Sequence, residues 1–145
     1  MNDRFFLDTN LLVYAIDPTD ARKHGIAVDW VARSLRTGDG IVSFQVVQEW
    51  FHWVLRKSAK PLQPPLAEQL YRSLLEPMWR VDSSRDLIET ALDLFENEGV
   101  SWWDSIIVAA ALQGGCRTLL SEDLQHGRET RGMRIENPFR ESKSK

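Results

Sequence analysis

The sequence predicts an α/β protein with three layers, α/β/α, around a central and mostly parallel sheet. Short apolar runs typical of strands alternate along the chain with longer segments whose apolar residues recur at helical spacing. The 145 residues are 43% hydrophobic and 27% charged, which is sufficient for one substantial core. Strands that alternate with helices in this way form parallel sheets covered on both faces.

The first half of the chain predicts two strands, each followed by helices. "RFFL" is the first strand, and "LLVYAI" is a short helix that ends before Pro18, because a residue preceding proline is disfavoured in a helix. The helix in "ARKHGIAVDWVARSLRTG" ends at Gly38, which suits a C-terminal cap. "GIVS" is the second strand, and "FQVVQEWFHWVLRK" is a helix apolar around most of its circumference, so we expect it to be central.

The second half continues the alternation. "LAEQLYRSLLEP" predicts a helix, "MWRVD" a strand, and "SRDLIETALDLFENEG" an amphipathic helix with Leu87, Ala91, Leu94 and Phe95 on its apolar side. "SWWDSIIVAAALQGG" is a further helix, "CRTLLS" a strand, and "MRIEN" an edge strand. We expect residues 1–138 to form a single domain and residues 139–145 to form a charged, disordered tail.

Composition argues against several classes of protein. No apolar run approaches the roughly 18 residues of a membrane span, and the N-terminus lacks a signal-like segment, so we expect a cytoplasmic protein without a membrane partner. The single Cys116 cannot form an internal disulfide. A formal charge of −3 is not typical of proteins that coat nucleic acid.

Four carboxylates are the candidate catalytic and metal-binding residues. Asp8 and Asp123 follow predicted strands, Glu49 lies on the helix after "GIVS", and Asp104 lies in the first turn of its helix. The carboxyl ends of parallel strands share one edge of the sheet, so we expect these acids to face one crevice. For Asp104 this depends on the height above the sheet at which its helix starts, which varies among such helices. Clustered acids without a counter-charge suit a divalent hard cation. Without those four charges the formal balance of −3 becomes +1, so the remaining surface need not repel phosphate.

Each acid also has a purely structural interpretation. Asp8 could cap the following helix, Asp104 could form a capping box with Ser101, and Asp123 could shape a turn. Glu49 could pair with Arg56, since a charge in an apolar stretch is costly unless it is paired.

Neighbouring polar residues fit the same site. Thr9, Asn10 and Ser121 can orient carboxylates or metal-bound water. His126 could contact phosphate or carry a proton, or it could simply be solvated. A basic set could likewise guide a phosphate-bearing strand or could simply form solvated helix ends: Arg22, Lys23, Arg56, Lys57 and Lys60.

The motifs "FLDTNLLVYAID", "IVSFQVVQEW", "SWWDSIIVAAA" and "LLSEDLQHG" resemble, in order and context, those of the PIN-domain nucleases and, among them, the VapC-type toxins. The resemblance implies that Asp8, Glu49, Asp104 and Asp123 hold Mg²⁺ or Mn²⁺, with Thr9, Asn10 and Ser121 in support. It also implies an endoribonuclease that hydrolyses RNA by metal-activated water, forms a homodimer and is inhibited by a VapB-type antitoxin.

Two alternative interpretations compete with this one. One is a catalytically inactive PIN fold that serves as an interaction or RNA-binding module, although this chain keeps all four acids. The other is a phosphatase of the haloacid dehalogenase type, which needs a second Asp two residues after the first, where this chain has Asn10.

Overall fold

The computed structural model describes residues 3–141. The six strands are β1 Phe5–Leu7, β2 Gly40–Ser43, β3 Trp79–Val81, β4 Thr118–Leu120, β5 Glu129–Thr130 and β6 Met133–Glu136. The six α-helices are α1 Thr9–Tyr14, α2 Ala21–Thr37, α3 Phe44–His52, α4 Pro64–Leu70, α5 Arg85–Glu98 and α6 Trp102–Gln113.

The strands form one sheet in the order β3-β2-β1-β4-β6-β5, parallel throughout except for the β5–β6 pair. The chain proceeds outward from β1 to β2 and β3 and then crosses back to β4 on the other side of β1. The strand order therefore reverses between β1 and β4. In open parallel sheets, ligands bind at such a reversal, beyond the carboxyl ends of the strands.

Helices cover both faces of the sheet, which confirms the predicted three-layer α/β/α class. α1 packs against α2 and α3, and α5 packs against α6. The connections from β1 to β2 and from β2 to β3 move along the sheet in one direction, and the connection from β3 to β4 returns in the other. Crossover connections between parallel strands are right-handed, so helices in the two sets of connections lie on opposite faces of the sheet. None of the helices between residues 3 and 141 is long and apolar enough to span a membrane.

The central strands are buried on both sides, as expected for a covered parallel sheet. Phe6, Leu7, Leu119 and Leu120 have no exposed surface, and Trp50 on α3 is equally buried. The core therefore lies directly beneath the carboxyl ends of β1 and β4, where Asp8 and Ser121 follow.

The helix after β2 differs from the expectation. It is not buried around most of its circumference: Val46, Val47 and Trp50 are buried, while Gln48 and Glu49 are exposed. Glu49 is therefore on the solvent side of the helix. A π-helical turn, Trp53–Lys57, continues α3 before the proline-containing segment.

Three other expectations are wrong. The "MRIEN" strand is internal, because β5 pairs beyond it as the edge. Phe95 is 48% exposed and does not join Leu87, Ala91 and Leu94 in the core. Phe139 is buried with its ring 5.0 Å from that of Tyr14, so the packed chain continues past residue 138. Of the proposed disordered tail, residues 142–145 lie outside the described residues.

The close approach of α2 to β2 depends on Gly40. A Cβ atom at this position would lie 2.0 Å from Ser34 Oγ and 2.8 Å from the Phe5 ring. We expect Gly40→Ala to lower the free energy of unfolding by about 1–3 kcal/mol, the usual effect of overpacking. Urea denaturation followed by circular dichroism measures this.

Gly25→Ala is the matched control, because a Cβ at Gly25 in α2 meets nothing within 4 Å. The better helix propensity of alanine should stabilise this variant by up to about 1 kcal/mol. If both alanine variants changed stability in the same direction and by the same amount, the close packing at Gly40 would not be the cause.

Candidate metal and catalytic site

Asp8 is held at the junction of β1 and β4. Its backbone N–H donates to Leu120 O at 2.9 Å, which extends the strand pairing by one residue. Its Oδ1 accepts from the Thr9 N–H at 2.7 Å, and its Oδ2 accepts from Ser121 Oγ at 2.7 Å. Asp8 is thus the N-cap of α1 as well as a member of the carboxylate cluster, and the two interpretations are compatible.

Burial makes the charge of Asp8 costly. Only 8% of the residue is exposed, and this desolvation raises the pKa of the Asp8 carboxyl to about 6. The hydrogen bonds from Ser121 and Thr9 oppose the increase, while the negative charges of Glu49 and Asp123 add to it. Asp8, Glu49 and Asp123 are therefore close enough to interact electrostatically.

Neutral donors orient Glu49. Its Oε1 accepts from Thr9 Oγ1 at 2.5 Å and its Oε2 accepts from Gln45 Nε2 at 3.2 Å. Within residues 3–141 no ion pair involves Glu49, so pairing with Arg56 is not observed. Thr9 therefore connects the backbone cap at Asp8 with the carboxylate of Glu49.

Asp123 is joined to Asp8 through Ser121. The Asp123 N–H donates to Ser121 Oγ at 3.1 Å, and that hydroxyl donates to Asp8. Asn10 Nδ2 also donates to Asp123 Oδ2 at 3.3 Å. The three polar residues predicted to support the acids, Thr9, Asn10 and Ser121, all make such contacts.

Asp104 lies at the same edge but makes no described contact with the other acids. It is half-buried in the first turn of α6, and the side chain of Ser101 does not cap the helix. Ile106, two residues on, lines a small cavity with Ser43 and Phe44 at the carboxyl end of β2. Trp103, one residue before Asp104, lines the groove that contains Glu49 and Asp123. The start of α6 is therefore at the carboxylate edge.

The acids do not form a closed metal cage. In the described part of the chain, no three His, Cys, Asp or Glu side chains are arranged to hold a metal ion as they stand. The chemistry of the donors nevertheless suits a hard divalent cation. Neutral donors orient Asp8, Glu49 and Asp123, and none of the four acids is in a described ion pair.

A groove of about 810 Å³ opens over this edge. Its lining combines Glu49 and Asp123 with Tyr14, Trp53, Lys57 and Trp103. Of the basic residues singled out in the sequence, Lys57 lines this groove. Lys23 instead forms an ion pair with Glu122, which also accepts from Tyr14 Oη at 2.8 Å.

Sequence reasoning missed the Tyr14–Lys23–Glu122 cluster, and the phosphate contact suggested for His126 stays a prediction. The three cluster residues lie on different elements, and no sequence spacing links them. His126 Nδ1 accepts from the Asn137 N–H at 3.0 Å, and the residues that line the groove do not include His126. The described contact of the His126 ring is therefore with the backbone of Asn137.

These features define a class of protein: a parallel α/β domain with a carboxylate cluster where the strand order reverses. The PIN domain family model matches residues 5–128, so this chain belongs to the PIN-domain family. A comparison with curated proteins finds no match.

Solved structures of toxin–antitoxin proteins share the fold. VapBC2 from Rickettsia felis, bound to a promoter DNA fragment, has a TM-score of 0.64 at 21% identity, covering 92% of this chain and 97% of that one. DNA-bound VapBC from Salmonella typhimurium has a TM-score of 0.62 at 20% identity, with 94% and 98% covered. Mycobacterium tuberculosis VapC20, a sarcin-ricin loop cleaving toxin, has a TM-score of 0.57 at 21% identity, with 79% and 86% covered.

The raised pKa of Asp8 predicts a pH dependence of stability in metal-free protein. The folded state holds the Asp8 proton up to about pH 6 and the unfolded chain only up to 3.8, so stability falls as pH rises between these values. Asp8→Asn removes this penalty while keeping a capping side chain. We expect the variant to be more stable than wild type at pH 7 by up to about 3 kcal/mol, and to lose that advantage below pH 4.

Urea denaturation in chelator at several pH values measures this difference. Asp123→Asn is the comparison variant, because the charge of Asp123 is the smallest of the causes that raise the pKa of Asp8. Its gain at pH 7 should be smaller. An Asp8→Asn protein no more stable than wild type at pH 7 would show that burial does not penalise this carboxylate.

Proposed function

We propose that this protein is a metal-dependent endoribonuclease and the toxin of a toxin–antitoxin pair. The observation that carries the proposal is the convergence of Asp8, Glu49 and Asp123, without a described cationic partner, beneath an open groove in a PIN-domain chain. Neutral donors orient a carboxylate without supplying a counter-charge, so its negative charge can attract a bound cation.

Mg²⁺ or Mn²⁺ would be held by Asp8, Glu49 and Asp123, with Asp104 as the fourth carboxylate. When bound, such an ion lowers the pKa of water and neutralises charge that develops on a phosphate. Thr9, Asn10 and Ser121 orient the carboxylates through their hydrogen bonds to Glu49, Asp123 and Asp8.

The reaction would be hydrolysis of a phosphodiester bond. Water adds to phosphorus, the bond to the 3′ oxygen breaks, and that oxygen takes up a proton, which leaves a 5′-phosphate and a 3′-hydroxyl. This route does not use the 2′-hydroxyl, so the four acids do not by themselves select RNA over DNA. The preference for RNA is supported by the similarity to VapC20, a sarcin-ricin loop cleaving toxin.

We propose that the protein works in the cytoplasm with two protein partners. They are a VapB-type antitoxin and a second copy of the chain. The similarity to VapBC proteins supports the antitoxin. An apolar stripe on α5 supports a protein contact, because Ile88, Leu92 and Phe95 recur at helical spacing and are 45–48% exposed.

Cleavage of a mixed pool of structured RNAs tests the activity. We expect purified wild-type protein to cut with Mg²⁺ or Mn²⁺ and to be inactive in chelator, leaving 5′-phosphate ends. Asp8→Asn should reduce cutting to background because it removes a proposed metal ligand. Asp29→Asn, on the exposed face of α2 and outside the groove, is the control and should cut normally.

The other outcomes are equally informative. If wild type and Asp8→Asn are both inert but bind RNA or a partner, the chain is an inactive PIN-fold interaction module. If wild type and Asp8→Asn cut RNA equally, the activity belongs to a contaminant. An Asp104→Asn variant tests the fourth carboxylate. If this variant kept full activity, Asp104 would be excluded from the metal site.

The hydroxyl of Thr9 predicts a second effect on activity. Thr9→Val removes the donor to Glu49 with little change in shape, and loss of such an orienting partner lowers activity by about 10- to 100-fold. Thr9→Ser keeps the hydroxyl and should retain most of the activity. Initial cleavage rates at saturating Mg²⁺ distinguish the two variants, and equal rates would show that the hydroxyl does not position Glu49.

A further inference from the structure

Trp103 is the most exposed large apolar side chain in the described part of the chain. It is 68% exposed, compared with 48% for Phe95, the next highest. Apolar surface left in water carries a free-energy cost, so a side chain as large as an indole in this position is a candidate for contact with a ligand.

The position of Trp103 places it at the carboxylate cluster. It lines the same groove as Glu49 and Asp123, and it directly precedes Asp104 in the first turn of α6. Its neighbour Trp102 behaves differently, since that ring packs edge-to-face on Phe95 with centroids 6.3 Å apart. Within residues 3–141, Trp103 makes no such ring contact, so its flat faces remain available.

The rest of the groove favours a nucleotide over an apolar partner. Gln48, Glu49 and Asp123 are exposed polar lining residues, and covering them with apolar side chains would leave their polar groups unpaired. A nucleotide presents polar phosphate and ribose groups beside one flat base. Lys57, which also lines the groove, can contact a phosphate.

We propose that Trp103 stacks on a base of a single-stranded RNA segment bound across the carboxylate groove. This inference rests on the proposed nuclease function and specifies the form of RNA that the site accepts. Every base has a π-face, so an aromatic side chain binds unpaired bases with little sequence preference. Bases within a duplex already stack on each other and do not expose their faces to such a side chain.

The experiment compares two strands with one series of variants. Fluorescence anisotropy measures binding of a labelled 12-nucleotide single-stranded RNA pool and of a ribose–phosphate strand of the same length without bases. We expect Trp103→Ala to weaken binding of the base-containing strand by about tenfold, the scale of one base–aromatic stack, and to leave the abasic strand unaffected.

Three further variants separate stacking from other roles. Trp103→Leu keeps apolar surface without a π-face and should behave as Trp103→Ala does. Trp103→Phe keeps a ring and should retain most of the binding. Leu66→Ala removes exposed apolar surface outside the groove lining and should bind both strands as wild type does.

Several results would overturn the proposal. In the first, Trp103→Ala weakens binding of both strands equally. In the second, Trp103→Ala leaves binding of the base-containing strand unchanged. In the third, wild type does not bind the base-containing strand. If Trp103→Ala instead changes the oligomeric state by light scattering, or loses antitoxin binding, while RNA binding is unchanged, the indole belongs to a protein interface. Cleavage by wild type is scored separately, so binding that depends on the base together with an absence of cutting would reject the nuclease function and keep the stacking site.

Discussion

The burial of one carboxylate, Asp8, between the ends of β1 and β4 organises the surrounding site. Its backbone extends the strand pairing, and its two oxygens accept from Thr9 and Ser121. Those two residues then contact Glu49 and Asp123 through their hydroxyl groups. The hydrogen bonds offset part of the cost of burying Asp8, and they also fix where the more exposed acids lie.

Some of the acids that line the groove have a described cationic partner and others do not. Glu122 has a cationic partner in Lys23 and a further donor in Tyr14. Glu49 and Asp123, in the same groove, contact neutral hydroxyl and amide donors. Neutral donors orient a carboxylate without cancelling its charge, so the two kinds of acid are suited to different roles: Glu122 to the groove wall, and the others to binding a cation.

Sequence patterns predicted the local elements well and their pairing less well. "GIVS" is β2, and Gly38 caps α2 with a φ of 75°. The β5–β6 hairpin was missed because its two turn residues, Arg131 and Gly132, both have positive φ, and arginine is not typical there. Phe95 shares a helical stripe with buried residues, but only packing decides how wide the buried stripe is.

The sequence by itself determined the alternation of strands and helices and the position of Asp8, Ser121 and Asp123 after particular strands. It did so because apolar periodicity and the ends of apolar runs are local properties. The tertiary structure decided that β1 and β4 are neighbours, that Glu49 lies on the exposed side of α3, and that Trp103 faces the groove. These depend on strand order and helix rotation, which are set by packing between residues distant in the chain.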